Sequence, residues 1–169
     1  MSEQNLVDCV TLPKYNSSGC KGGRTHQAFA YVKDNGIESE SNYPYNAKQG
    51  PCHFDKNKTI ARITDFHIDH SRNEEVLKNA VATIGPIAVG IKVVKSLSSY
   101  RGGIYHATDC QGFMNHGVLA VGYGTEKGQD YWLIKNTWGV KWGISGYLKL
   151  ARNKDNMCAI GKYQTYPIF

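Results

Sequence analysis

The chain has 169 residues, of which 41% are hydrophobic and 20% charged, and its formal charge is +6. This length allows one globular domain, or two small lobes packed together, and excludes a larger set of domains. Apolar residues are plentiful along the whole chain, which excludes intrinsic disorder, and no apolar run approaches the roughly 20 residues of a membrane span.

The positive charge is diffuse. Lysine and arginine occur singly, as at Lys14, Lys21 and Lys33, and no nucleic-acid-binding motif accompanies them. We therefore expect neither nucleic acid nor a membrane as a partner.

The first half of the chain has helical signals. Residues 2–9 predict a short helix with Ser2 as N-cap, and Thr25–Asn35 predicts a helix that ends at Gly36. Further along, Ser71 and Glu74 form a capping box ahead of another helix, which Gly85-Pro86 terminates.

The second half has strand signals. Runs rich in Val, Ile and aromatic residues predict strands at 87–94, 117–123, 131–135 and 147–150. Helices followed by an antiparallel sheet indicate an α+β fold, with two lobes dividing near residues 60–65.

The five cysteines, Cys9, Cys20, Cys52, Cys110 and Cys158, are widely spaced and form no C-x-x-C pair. This spacing argues against a metal site and favours long-range disulfides formed in an oxidising compartment. The chain has no signal peptide at its start, and an odd cysteine count together with that absence indicates that an upstream segment is missing.

A predicted β-hairpin carries the candidate chemistry. The strands around 116–124 and 130–136 flank a polar turn, so the hairpin register places His116 beside Asn136 to within a residue or two. A carboxamide oxygen can accept from the imidazole and fix its tautomer without adding charge, and Trp138 could cover that hydrogen bond. The other five histidines are interpreted as structural.

Several segments of the sequence resemble the papain family of cysteine peptidases, with cathepsin L as the nearest branch. The resemblance covers essentially the whole chain in order. It rests on residues 2–9, 19–23, 43–45, 85–87, 115–118, 121–124, 131–139 and 142–147.

This resemblance implies a papain-like two-lobe fold that lacks its N-terminal part. Residues 1–62 would be the remainder of the helical left lobe, and residues 63–169 the antiparallel, barrel-like right lobe. It implies that His116 is the general base and acid and that Asn136 orients it. It also implies the disulfides Cys9–Cys52 and Cys110–Cys158.

The same resemblance implies a substrate cleft. Gly22 and Gly23 would pair with substrate through their backbone, because glycine allows close approach. The pocket for the residue two before the scissile bond would be formed by Thr25, Gly90, Met114 and Tyr163, although Met114 and Tyr163 are equally well interpreted as core residues. The backbone carbonyl of Asn115 would also face the cleft.

The nucleophile motif of the family lies some 130–150 residues before the His and Asn, which places it before Met1. We therefore expect the chain to be inactive by itself. Three interpretations stay open: a cathepsin L-like endopeptidase completed by the missing segment, a non-catalytic homologue that binds peptide or inhibitor, and a silicatein-like relative with a serine nucleophile.

No cofactor is expected. The implied partners are a peptide or protein substrate and a propeptide or proteinaceous inhibitor of cysteine peptidases. The implied location is lysosomal or extracellular.

Overall fold

The computed structural model describes all residues, Met1–Phe169. The chain forms four α-helices, three 3-10 turns and nine strands. The helices are α1 (Glu3–Cys9), α2 (Thr25–Asn35), α3 (Glu74–Thr83) and α4 (Lys95–Ser98), and the 3-10 turns span Gly19–Lys21, Lys56–Lys58 and Met157–Ala159. The strands are β1 (Ile37–Glu38), β2 (Thr59–Ala61), β3 (Asp65–Asp69), β4 (Ile87–Ile91), β5 (Ile104–Tyr105), β6 (His116–Glu126), β7 (Gln129–Lys135), β8 (Tyr147–Ala151) and β9 (Gln164–Ile168).

The chain divides into two compact units. The first comprises Met1–His67 together with Pro167–Phe169, and the second comprises Ile68–Tyr166. The last three residues therefore return to the first unit.

The first unit contains α1 and α2 and is organised by buried polar groups on α1. Ser2 caps α1 as predicted, its hydroxyl accepting from Asn5 N at 2.9 Å. Asn5 donates to the Tyr31 hydroxyl at 3.1 Å and accepts from Glu38 N at 3.2 Å, so one side chain links α1, α2 and β1. An apolar cluster and the Cys9–Cys52 disulfide complete this core; its buried members are Cys9, Val10, Tyr31, Val32, Ile37, Tyr43 and Ile63.

The α2 helix spans the predicted residues and ends at Gly36, which has φ 91°. A side chain is disfavoured at this backbone conformation, so the glycine stop has a local physical cause.

The prediction that Ser71 caps α3 was wrong. Asn73 is the N-cap, and its side chain accepts from Glu75 N at 2.9 Å, whereas the Ser71 hydroxyl donates to Asp69 at 2.6 Å. An Asx cap and a serine turn compete over the same residues, and asparagine is at least as good a cap as serine.

A seven-stranded sheet has the order β3-β9-β4-β6-β7-β8-β5; strands β4 to β8 lie wholly in the second unit, and β3 and β9 each contain residues of both units. The β4–β6, β6–β7 and β7–β8 pairs are antiparallel, as predicted, while β5 pairs with β8 in parallel. Alternate residues of β7 and β8 are buried, and Leu77 of α3 belongs to the same apolar cluster. The central buried side chains are Leu77, Ile87, Val89, Trp132, Ile134, Leu148 and Leu150.

None of the four helices combines the length and the apolar character that a membrane span requires.

Candidate active site

The predicted contact between His116 and Asn136 is present. His116 Nε2 lies 2.8 Å from Asn136 Oδ1. His116 is the first residue of β6 and is half-buried, whereas Asn136 directly follows β7 and is buried. The two side chains therefore meet at one end of the β6–β7 hairpin.

The hydrogen bond defines which ring nitrogen carries the proton. Asn136 Oδ1 also accepts from Thr137 N at 2.8 Å, which fixes the carboxamide with its oxygen toward the ring. An amide oxygen only accepts, so His116 Nε2 must be the donor. In the neutral imidazole, Nδ1 is then the nitrogen that can take up a proton.

A tight turn and a bulge set the register of the hairpin. A two-residue turn, Lys127-Gly128, connects them, and both residues have positive φ, 51° and 77°, as a type I′ turn requires. A register shift between Ala120 and Gly122 displaces the pairing by one residue. The extra residue of such a bulge explains why the sequence predicted the register only approximately.

Each site residue has a further anchor outside the hairpin. His116 pairs with Ile91 of β4, and Asn136 N donates to Gly146 O at 3.1 Å. The contributions of Thr137 N and Gly146 O were missed by the sequence analysis, because backbone groups leave no signal in residue identity.

Trp138 covers the pair. Its ring lies 5.2 Å from that of His116, tilted by 34°, and it stands edge-on against Trp142 at 4.9 Å. Trp142 is 7% exposed and donates to Leu97 O at 3.3 Å. A buried indole thus supports the more exposed Trp138 beside the imidazole.

The residues before His116 contact the strand beside it. A methyl group at Gly90 would lie 2.7 Å from Met114 Sδ, so the thioether occupies the space over this glycine. Asn115 accepts from Val93 N at 2.7 Å and donates to Val93 O at 3.1 Å through its carboxamide. This pair of hydrogen bonds to the Val93 backbone was not predicted from the sequence.

Tyr163 is connected to the same strand through its backbone. Its carbonyl accepts from Gly90 N at 3.1 Å. The phenol is only 7% exposed and its ring lies 5.5 Å from that of His70.

In the first unit, Gly22 and Gly23 differ in whether their backbone groups are already hydrogen-bonded within the chain. The Gly22 carbonyl accepts from Ser18 N at 2.9 Å and from the Ser17 hydroxyl at 3.3 Å. The Gly23 amide and carbonyl have no partner within the chain. A methyl group at Gly23 would lie 2.3 Å from Ser17 Oγ, so a larger residue would require the Ser17 side chain to move. Thr25 follows as the first residue of α2.

Both implied disulfides are formed, Cys9–Cys52 in the first unit and Cys110–Cys158 in the second. Cys20 is exposed and is the one cysteine outside a disulfide. It is therefore the only thiol in the chain.

The chain has one unit with the helices α1 and α2 and one β-rich unit. In the second unit a buried carboxamide is hydrogen-bonded to an imidazole at the end of a strand. These features together define the papain type of α+β fold. Comparisons with known proteins agree. The family described as "Papain family cysteine protease" matches residues 1–168. The chain belongs to this family.

Curated relatives include cathepsin R of Mus musculus, 49% identical over 174 residues, and cathepsin L of Sarcophaga peregrina, 48% identical over 171 residues. Each alignment covers 99% of this chain but only 51% and 50% of the relative. The chain thus spans about half the length of these relatives. Among solved structures, digestive procathepsin L 3 of Tenebrio molitor larval midgut superposes with a TM-score of 0.95 at 43% identity, covering 99% of this chain and 55% of that one.

Proposed function

We propose that this chain is the His/Asn-bearing part of a cathepsin L-like cysteine endopeptidase, and that it hydrolyses peptide bonds only when a nucleophile is supplied to it. The observation that carries the proposal is the 2.8 Å hydrogen bond from His116 Nε2 to Asn136 Oδ1, which leaves Nδ1 as the basic nitrogen.

In the proposed reaction, His116 Nδ1 takes the proton of a cysteine thiol, and the thiolate attacks the peptide carbonyl carbon. When the C–N bond breaks, the imidazolium returns the proton to the leaving amine. Water then hydrolyses the thioester and regenerates the thiol. Asn136 holds the ring throughout and, being neutral, leaves the imidazolium charge available to pair with the thiolate.

The state of the cysteines supports the proposal that the chain alone is inactive. Both cysteines of the second unit are consumed in one disulfide, so no thiol of that unit can serve His116. Cys20, the remaining thiol, lies in a 3-10 turn of the first unit. No α-helix begins there, so the helix N-terminus that commonly activates a catalytic thiol is missing.

The proposed substrate contacts combine resemblance with local geometry. Gly23 has an unpaired amide and carbonyl, as the addition of an extended peptide requires. Thr25, Gly90, Met114 and Tyr163 are assigned to the pocket for a bulky apolar residue, and Asn115 and Trp138 flank the reacting bond. Tyr163 contributes mainly through its backbone, because its ring is buried.

A propeptide or a proteinaceous inhibitor would bind along the same residues. A lysosomal or extracellular location is part of the proposal, and the two disulfides support it, because disulfides persist in oxidising compartments.

A chimera tests the proposal. This chain replaces the matched segment of the Sarcophaga peregrina cathepsin L, and hydrolysis of a peptidyl-fluorophore is measured. We expect turnover that a thiol alkylator blocks. His116→Ala should abolish it, and Asn136→Ala should lower kcat at least about tenfold. Asn79→Ala, an exposed change on α3, is the matched control and should have no effect.

A folded chimera without turnover would refute the peptidase proposal and favour the non-catalytic homologue. The isolated chain should show no turnover in the same assay. Alkylation-sensitive turnover by the isolated chain would refute its inactivity and identify Cys20 as the nucleophile. The silicatein-like alternative predicts that the chimera works equally well when serine replaces the relative's nucleophile.

A further inference from the structure

A cavity separate from the proposed active site lies within the second unit, and none of the proposed site residues lines it. Its volume is about 550 Å³, within the range of roughly 300–1,000 Å³ typical of small-molecule sites. The β6–β7 turn, the end of β8 and the residue after β5 form it. Its lining consists of His106, Gly128, Gln129, Asp130, Arg152, Asn153 and Lys154.

Arg152 is held rigidly at this cavity. Its side chain is only 6% exposed, and its guanidinium carbon lies 5.3 Å from the Tyr123 ring and 5.6 Å from the Trp132 ring. Arginine stacks on aromatic faces in this way without using its N–H donors. Fixing the guanidinium beforehand reduces the entropy lost when a ligand binds.

The guanidinium of Arg152 uses few of its N–H donors within the chain. Its Nε is buried without a hydrogen-bond partner, and its one ion pair, from Nη2 to Asp130 Oδ2, is long at 3.4 Å. Asp130 is already engaged by Thr125 at 2.6 Å and by Asn153 at 2.8 Å. These two hydrogen bonds hold the pKa of Asp130 below its usual range, with the charge of Arg152 a smaller cause.

The lining therefore carries an excess of positive charge. Arg152 and Lys154 oppose the single carboxylate of Asp130, and Lys154 is exposed and makes no ion pair. A buried, incompletely paired arginine is costly unless an anion compensates it. The planar guanidinium is suited to the oxygens of carboxylate, sulfate or phosphate groups.

We propose that this cavity binds a small molecule bearing a singly charged oxyanion group, a sulfate ester or a carboxylate, through Arg152 and Lys154. The single charge matches the excess of one positive charge in the lining. The volume leaves room for an organic substituent beside the oxyanion group.

The test is an NMR titration of the full chain with methyl sulfate, with acetate and with chloride at matched ionic strength. The Arg152 Nε–Hε resonance reports directly on the guanidinium. Methyl sulfate or acetate should move it along a saturating curve at concentrations up to about 20 mM, whereas chloride should not. The anion that reaches half-saturation at the lower concentration identifies the ligand group as a sulfate ester or a carboxylate.

Lys154→Ala should weaken that binding about threefold or more, since it removes one of the two cationic partners. Lys95→Ala, an exposed change on α4 of the same unit, is the matched control and should leave the curve unchanged. As a second measurement, the saturating anion should raise the melting temperature less in Lys154→Ala than in the control.

No saturable shift with either anion would overturn the proposal and leave Arg152 as a purely structural arginine. A shift that Lys154→Ala and Lys95→Ala affect equally would overturn it too, because the anion would then bind outside this cavity. The proposed peptidase activity is not involved in either result.

Discussion

One carboxylate, that of Glu74, fastens α3 to the strands that carry the site. Glu74 Oε2 accepts from Trp132 Nε1 of β7 at 2.7 Å and from Asn153 N, just after β8, at 3.1 Å. Trp132 is fully buried, and Asn136 follows four residues later on the same segment. Glu74→Ala therefore removes the acceptor of a buried indole in the scaffold of the His–Asn pair.

The expected loss can be estimated from its parts. Leaving the buried Trp132 N–H unpaired costs about 1–3 kcal/mol, and the more exposed Asn153 N–H costs about 0.5 kcal/mol. A negative charge in the first turn of a helix contributes about 0.3–1 kcal/mol. Glu74→Ala should thus lower the free energy of unfolding by about 2–4 kcal/mol, and Glu74→Gln, which keeps an acceptor oxygen, by about 1 kcal/mol.

Glu75→Ala is the matched control. It removes the same charge from the same turn, but Glu75 is exposed and contacts only Lys78, at 3.4 Å. Its cost should stay below about 1 kcal/mol.

All three tryptophans, Trp132, Trp138 and Trp142, belong to the second unit, so urea unfolding followed by tryptophan fluorescence reports on that unit. If Glu74→Ala and Glu75→Ala destabilise it equally, the Trp132 contact does not contribute as argued.

Two other substitutions test separate features of the chain. Burial raises the pKa of Tyr31 to about 12, above the unfolded value of about 10. Its contribution to stability should therefore be complete below pH 10 and fall by about 2 kcal/mol between pH 10 and 12. Tyr31→Phe should lack this component when unfolding is followed by circular dichroism at each pH, and identical pH profiles would contradict the assignment. Gly90→Ala places a methyl group 2.7 Å from Met114 Sδ. In the chimera it should lower kcat/KM for a bulky apolar side chain in the assigned pocket, relative to a small one, about tenfold; an unchanged preference would remove Gly90 and Met114 from that pocket.

Local signals in the sequence were sufficient for much of the fold. The Ser2 cap, the glycine after α2 and the alternating apolar residues of β7 and β8 each act within a few residues. The His116–Asn136 contact could be predicted for the same reason, because a short turn constrains the register of a hairpin.

Elements that depend on distant partners were not predicted. The β3 and β9 strands are separated by nearly one hundred residues and are neighbours in the sheet. Phe66 and Ile68 of β3 do alternate with polar residues, but the strand is only five residues long, and β9 lacks such an alternation, so the pairing of the two strands could not be inferred locally. The choice of Asn73 over Ser71 as helix cap was also decided by context, because Asp69 engages the Ser71 hydroxyl.

By itself, the sequence determined that His116 and Asn136 meet at one end of a hairpin and which disulfides the family resemblance implies, because residue types and spacings are encoded directly in the chain. Only the tertiary structure decided which nitrogen of His116 bears the proton, that Gly23 rather than Gly22 has free backbone groups, and that Arg152 is buried beside a cavity. Each of these depends on a hydrogen bond, or on the lack of one, between groups whose positions are set by packing.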